Sequence, residues 1–275
     1  MKKHLINSRE FRAFSKERNS IILDASKAKP QQKDYSLNEF IPGAIAFDLS
    51  GAFSEPNSKY PNTLPSAEHF QSEARKLGIS RDSRLLIYDC HGIFSSPRVW
   101  YLFQAMGHRD VFVLDGGLPA WKAQGYPIEN KISQPNKTGD FKAHFNADKF
   151  IDIDQISKLD LGKSILLDAR SPKRFAGSEA EPRKGVRSGH IPGSHNLPYS
   201  ELLSQGQFKN LSELEDLFKN YAKDRELLMT CGSGVTACIL ALAAENLGYK
   251  DLKVYDGSWT EYGQSNYPIE KSNNS

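Results

Sequence analysis

The stretch TCGSGVTA, residues 230 to 237, sets one thiol in front of two glycines and two small hydroxylated residues. A cysteine kept for packing is better served inside a helix or strand. Glycines beside Cys231 let successive N–H groups turn inward and form a nest for an anion. The loop leads into an apolar run, so the positive end of a following helix would add to the same cradle. The chemistry this permits is nucleophilic: a thiolate at Cys231, with the amides of Gly232, Ser233, Gly234, Val235 and Thr236 around the negative sulfur. The competing reading is a tight turn that begins on a small residue. Cys90, followed by the bulky HGIF, reads as a bystander, and Cys238 falls on or near a helical apolar stripe, where a buried inert thiol is usual.

Such a loop needs a strand to deliver Cys231 and a helix to leave from it, and the chain supplies both twice. IILDAS at 21–26 is answered by LLDARS at 166–171, FIPGAIAFDL from Phe40 by HIPGSHNLPY from His190, and RLLIYDC at 84–90 by ELLMTCG at 226–232. MGHRDVFVLDGGLPAWKAQGYPIE at 106–129 is answered by LGYKDLKVYDGSWTEYGQSNYPIE at 247–270. The matches keep one order at a nearly constant separation, which marks a duplicated unit. Short apolar runs at 21–23, 85–88 and 111–114, and again at 165–167, 227–229 and 252–255, have the length and composition of buried parallel strands. Between them lie helical patterns. Val99, Leu102, Phe103 and Met106 follow a proline suited to a first turn; Val235, Ile239, Leu240, Ala243 and Leu247 precede Gly248, placed to cap the end. This alternation builds an α/β fold, an open and mainly parallel sheet with helices on both faces. The copies are expected over 1–130 and 145–275, with the polar stretch 131–144 as linker.

Aligning the copies sets Asp89 opposite Cys231, each at the end of its central strand, so only the second copy has a nucleophile there. In open α/β sheets ligands bind beyond the carboxyl ends of the strands, which is where Cys231 stands. Asp115 and Gly116 in one copy, and Asp256, Gly257 and Trp259 in the other, occur in both and read as turn and packing residues.

The totals exclude several classes. In 275 residues, hydrophobic types make up 39% and charged types 25%, the composition of a globular chain rather than a disordered or membrane one. The formal net charge of +3 comes from interspersed acids and bases, with no basic stripe for nucleic acid. The start is interrupted by Asn7, Arg9, Glu10 and Arg12, and no apolar run approaches the roughly 20 residues that span a bilayer. A cytoplasmic address is expected, and three cysteines, an odd number, suit a reducing compartment.

The paired LDA, IPG, strand-end loop and DG signals, over essentially the whole chain, resemble the tandem-domain rhodanese sulfurtransferases. CGSGVTA is similar to the active-site loop of their 3-mercaptopyruvate branch; thiosulfate-preferring members carry cations where this chain has Gly232 and Ser233. The resemblance implies two rhodanese-like domains, the first without the catalytic cysteine. It implies sulfur transfer from 3-mercaptopyruvate through a Cys231 persulfide to thioredoxin, a small thiol or cyanide, with no cofactor and no metal. Thiosulfate as donor is the runner-up. In the family-like segment RSPKRFAGSEAEPRKGVRSGHIPG, Arg174 and Arg183 fall on the substrate-clamping positions; charge alone there would read as a solvated loop, and Arg187 and Lys184 have no matched role. Ser233 falls where the family uses a hydroxyl relay, backed by a first-domain histidine and aspartate. This chain has Phe40 at the histidine position, and the upstream stretch KAKPQQKDYSLNE is short, so neither partner transfers. His190 reads as structural. A cysteine phosphatase would need an arginine six positions after Cys231, where Ala237 stands, and a noncatalytic binding module would not need the intact loop.

Overall fold

A computed structural model describes residues 4–29, 32 and 36–272; part of the KAKPQQKDYSLNE stretch therefore lies outside the described residues. Contacts divide the chain into two compact units. The first holds the described residues through Ser58, then Leu64–Asn146 and Gln205–Phe208; the second holds Lys59–Thr63, Ala147–Ser204 and the described residues from Lys209 onward.

In the first unit the chain runs through β1 (Leu5–Ile6), α1 (Ser8–Phe14), β2 (Ser20–Asp24), β3 (Ile45–Ala46), α2 (Ala67–Lys76), β4 (Arg84–Tyr88), α3 (Ser96–Ala105), β5 (Val111–Leu114) and α4 (Gly117–Ala123). The five strands lie in the order β1-β5-β4-β2-β3, every neighbour parallel, with Ile22 beside Leu86 and Leu86 beside Phe112. The central strands are apolar without alternation because both faces are covered. Ile22, Leu86 and Leu114 pack with Trp121 and Phe11 on one side, while Leu23, Leu85, Ile87 and Val113 are equally buried. Pro97 occupies the first turn of α3, as expected. The segment expected to link the copies is fastened along this unit: Ser133 N–H donates to Ala44 O at 2.8 Å, Phe141 N–H to Ile79 O at 3.0 Å, and the Phe141 ring is buried.

The second unit repeats the plan with β6 (Phe150–Ile151), α5 (Ile153–Ser157), β7 (Ser164–Asp168), α6 (Pro172–Ala176), β8 (His195–Asn196) and β9 (Leu203–Ser204). After β10 (Gln207–Phe208), which belongs with the first unit, come α7 (Leu211–Phe218), β11 (Glu226–Thr230), α8 (Ala237–Asn246), β12 (Leu252–Tyr255) and α9 (Ser258–Tyr262). The sheet order β6-β12-β11-β7-β8 is the same permutation as in the first unit, again all parallel. Helix α8 departs from the expected stripe: Ala237 through Ala244 are all buried, because alanines on its outer side let it sit inside the packing rather than on it.

The two strand-end loops differ in what fills them. In the first unit the Asp89 carboxylate, fully buried, turns back into its own loop. It accepts from the N–H of His91 at 2.9 Å, Phe94 at 2.9 Å, Ser95 at 3.0 Å and Ser96 at 3.0 Å, and from the Ser96 hydroxyl at 2.7 Å. Gly117, with φ of +51°, allows the neighbouring turn to close on the Asp89 carbonyl, where a Cβ would stand 2.2 Å away. This loop is an anion cradle that holds a resident anion. Replacing the carboxylate by an amide leaves N–H groups facing an NH2, so Asp89→Asn is expected to destabilise the first unit by about 2 kcal/mol or more. Urea unfolding followed by fluorescence checks this.

Candidate active site

Strand β11 ends at Thr230 and delivers Cys231, 1% exposed, to the loop that precedes α8. Gly234 takes the left-handed conformation, φ +74°, that reverses the chain around the sulfur. The N–H groups of Gly232, Ser233, Val235 and Thr236 make no hydrogen bond among the described residues. The fifth donor of the expected ring is spoken for: Gly234 N–H donates to the Ser258 hydroxyl at 3.0 Å, as does Cys231 N–H at 3.2 Å. The same hydroxyl donates to Tyr255 O at 2.8 Å and lies 4.0 Å from Cys231 Sγ.

Ser258 was not singled out in the sequence, although the signal was there. It occupies the position of Gly117 in the duplicate, and like that glycine it has positive φ, +48°. A non-glycine residue held in this region costs about 1–3 kcal/mol. The second unit bears that strain and gains a buried hydroxyl that orders the cysteine loop. Its neighbours extend the support: Trp259 N–H donates to Cys231 O at 2.9 Å, and Thr260 donates to Gly232 O through its N–H, at 3.0 Å, and through its hydroxyl.

The arginines are not a solvated surface. Arg174, on the short helix α6, binds Glu181 at 2.6 Å and its side chain is 19% exposed. A Cβ on Gly232 would lie 3.1 Å from its guanidinium, so Gly232 serves here by leaving room rather than by an unusual φ. Glu181 also accepts from the buried Arg170 at 2.9 Å, which forks onto Asp168 and lies 4.3 Å over the Trp259 ring. Burial would lower the Arg170 guanidinium, but the Asp168 and Glu181 carboxylates outweigh it and hold it above its ordinary value. Arg183 donates to the Thr260 hydroxyl at 3.2 Å and forms no ion pair among the described residues. Burial, and then the charge of Arg174, lower it from the ordinary arginine value, while Cys231 and Glu181 act the other way. Burial raises the Tyr199 phenol, Cys231 adds to the rise, and Arg174 opposes it. Arg174 and Cys231 thus both act on the charge of Arg183, and of the two arginines Arg174 alone has a carboxylate partner among the described residues.

The Ser233 hydroxyl accepts from Asn62 Nδ2 at 3.1 Å, and the second unit includes that asparagine through its segment Lys59–Thr63. Phe40 is buried and its backbone pairs with Glu129. His190 is stacked on Phe175 and bonds its carbonyl at 2.8 Å, Arg187 is spent on the carbonyls of Tyr262, Gly263 and Tyr267, and Cys238 is buried in α8. Among the described residues no cluster of His, Cys, Asp or Glu is placed to hold a metal ion, and no helix is long and apolar enough to cross a membrane.

Twin parallel α/β units, one with its strand-end cradle filled by a carboxylate and the other presenting a thiol there, define a duplicated protein. The chain belongs to the rhodanese-like domain family, whose model matches residues 7–124 and 152–265. It is 42% identical over 252 residues to the 3-mercaptopyruvate sulfurtransferase of Rattus norvegicus, covering 88% of this chain and 84% of that protein. It is 38% identical over 251 residues to the thiosulfate sulfurtransferase of Gallus gallus, covering 88% and 85%. Among solved structures it is similar to SseA, a 3-mercaptopyruvate sulfotransferase from Escherichia coli, with a TM-score of 0.83, 32% identity and coverage of 94% of this chain and 99% of that one.

Removing the Ser258 hydroxyl leaves the buried N–H groups of Cys231 and Gly234 without an acceptor. Ser258→Ala is expected to lower stability by about 1–3 kcal/mol. Ser258→Gly loses the same acceptor but relieves the strain and should fall less, a ranking that thermal unfolding reads directly.

Proposed function

We propose that the chain is a sulfurtransferase that takes sulfur from 3-mercaptopyruvate onto Cys231 and passes it to a thiol or to cyanide. The observation that carries this reading is the pairing of a thiol in an amide-lined, uncharged loop with two arginines, of which only Arg174 has a carboxylate partner among the described residues. The Cys231 thiolate attacks the donor sulfur; the S–S bond forms, the C–S bond breaks, and the electron pair departs into the enolate of pyruvate. The amides of Gly232, Ser233, Val235 and Thr236 meet the negative persulfide where it forms, and the first turn of α8 adds its positive end. Arg183 and Arg174 hold the donor carboxylate by charge-assisted hydrogen bonds. Attack on the outer sulfur by the acceptor returns the Cys231 thiolate.

Thiosulfate is the second reading, favoured by the name of the chicken relative. Charge argues for the first. Glu181 offsets Arg174, so the arginine pair offers roughly one unopposed positive charge, which matches a monocarboxylate better than a compact dianion. A small thiol, cyanide or a thioredoxin-like protein serves as acceptor, and three free thiols among the described residues suit a reducing cytoplasm. We assign the noncatalytic copy to 1–130, the connector to 131–144 and the catalytic copy to 145–275. Residue 237 is alanine, so phosphate transfer lacks its chelating arginine.

Pyruvate release from 3-mercaptopyruvate, measured beside turnover of thiosulfate, tests the proposal: kcat/KM is expected to be higher for mercaptopyruvate, and the reverse order makes this a thiosulfate enzyme. Arg183→Ala should raise KM for mercaptopyruvate about tenfold or more through loss of a charge-assisted bond. An unchanged KM removes Arg183 from the binding site.

A further inference from the structure

The proposed first step breaks a C–S bond and leaves an enolate that must gain a proton. The histidine to which the family resemblance assigns that proton is replaced here by Phe40. The reaction's own balance removes the need for it. A Cys231 thiolate and a donor thiol together become a persulfide anion and pyruvate, so the proton lost from the donor's sulfur equals the proton gained by its carbon. What the step needs is a carrier over a short path, not an acid or a base drawn from elsewhere.

Ser233 has one hydrogen-bond partner among the described residues, and it is a donor: the Asn62 amide at 3.1 Å. A hydroxyl that accepts from an amide keeps its own O–H for another acceptor. Asn62 is suited to be a fixed donor. It is 6% exposed and sits in the left-handed region with φ of +60°, a conformation that asparagine tolerates better than most side chains. It does not titrate, so its hold on Ser233 is the same at every working pH.

We infer that Asn62 is the positioning residue of the proposed mercaptopyruvate reaction: by donating to Ser233 it holds that hydroxyl as the relay that carries the donor's sulfur-bound proton to the enolate carbon. The O–H of Ser233 goes to the carbon, giving the methyl group of pyruvate, while the serine oxygen takes the proton leaving the outer sulfur. Cys231 ends as a persulfide anion within its amides, and no external proton enters. This rests on the mercaptopyruvate reading above.

The test separates the two halves of the cycle, because only the first protonates carbon. Full-length wild type, Asn62→Gly, Ser233→Ala and the double variant are compared; glycine is used because it keeps the positive φ accessible. Single-turnover pyruvate formation is expected to slow about tenfold in each single variant with KM little changed, and no further in the double variant, since both act through one relay. Discharge to cyanide of a Cys231 persulfide loaded with inorganic polysulfide should change by less than about twofold, because that step moves no proton to carbon. Additive losses, equal slowing of both half-reactions, or an undiminished rate in Asn62→Gly overturn the inference. Absence of pyruvate with the wild-type protein overturns the functional reading, and the relay falls with it.

Discussion

Backbone amides gathered at the end of a central parallel strand call for a negative charge, and the rest of this structure follows from what answers them. In the first unit the Asp89 carboxylate answers from within the chain, accepting four N–H groups and a hydroxyl in a fully buried site. In the second unit the neutral loop at Cys231 leaves four amides without a hydrogen bond among the described residues. Donors already fixed in place need no reorganisation when charge develops, so a loop of this kind favours a sulfur anion without carrying any charge of its own. The duplication thus contains its own control: the same strand, turn and helix, with the anion built in once and left to chemistry once.

The surroundings of the second loop act at two removes. Ser258, Trp259 and Thr260 hold the backbone of Cys231 and Gly232, with the strained Ser258 where the duplicate has a glycine. Outside them a ladder of alternating charge, Asp168, Arg170, Glu181 and Arg174, is closed upon itself, and Arg183 has no carboxylate partner among the described residues. Buried charges are tolerated because each has an opposite neighbour. The exception, Arg183, is the one that a donor's carboxylate would satisfy in the proposed reaction.

The sheets were legible from sequence because their central strands are buried on both faces and read as uninterrupted apolar runs, such as Leu85 to Tyr88 and Leu227 to Met229. The two-residue strands at Leu5, Ile45, Phe150 and His195 are too short to produce a pattern. The cysteine loop was legible because glycines, thiol and helix start are contiguous. Arg174 and Arg183 stood out only through family resemblance, since their burial depends on Glu181 and Thr260. Ser258 could have been found by setting the copies side by side. Asn62 could not: a hydrogen bond between residues 171 positions apart leaves no local mark.

The central claim is that an anionic sulfur is carried on Cys231 by neutral amides. Intact-protein and peptide mass spectrometry after brief incubation with 3-mercaptopyruvate, before any acceptor is added, measures it most directly. The account predicts one added sulfur, located on the peptide containing Cys231, absent from Cys231→Ser and lost on addition of cyanide. A stable adduct at Cys90 or Cys238, or one that persists in Cys231→Ser, would contradict it.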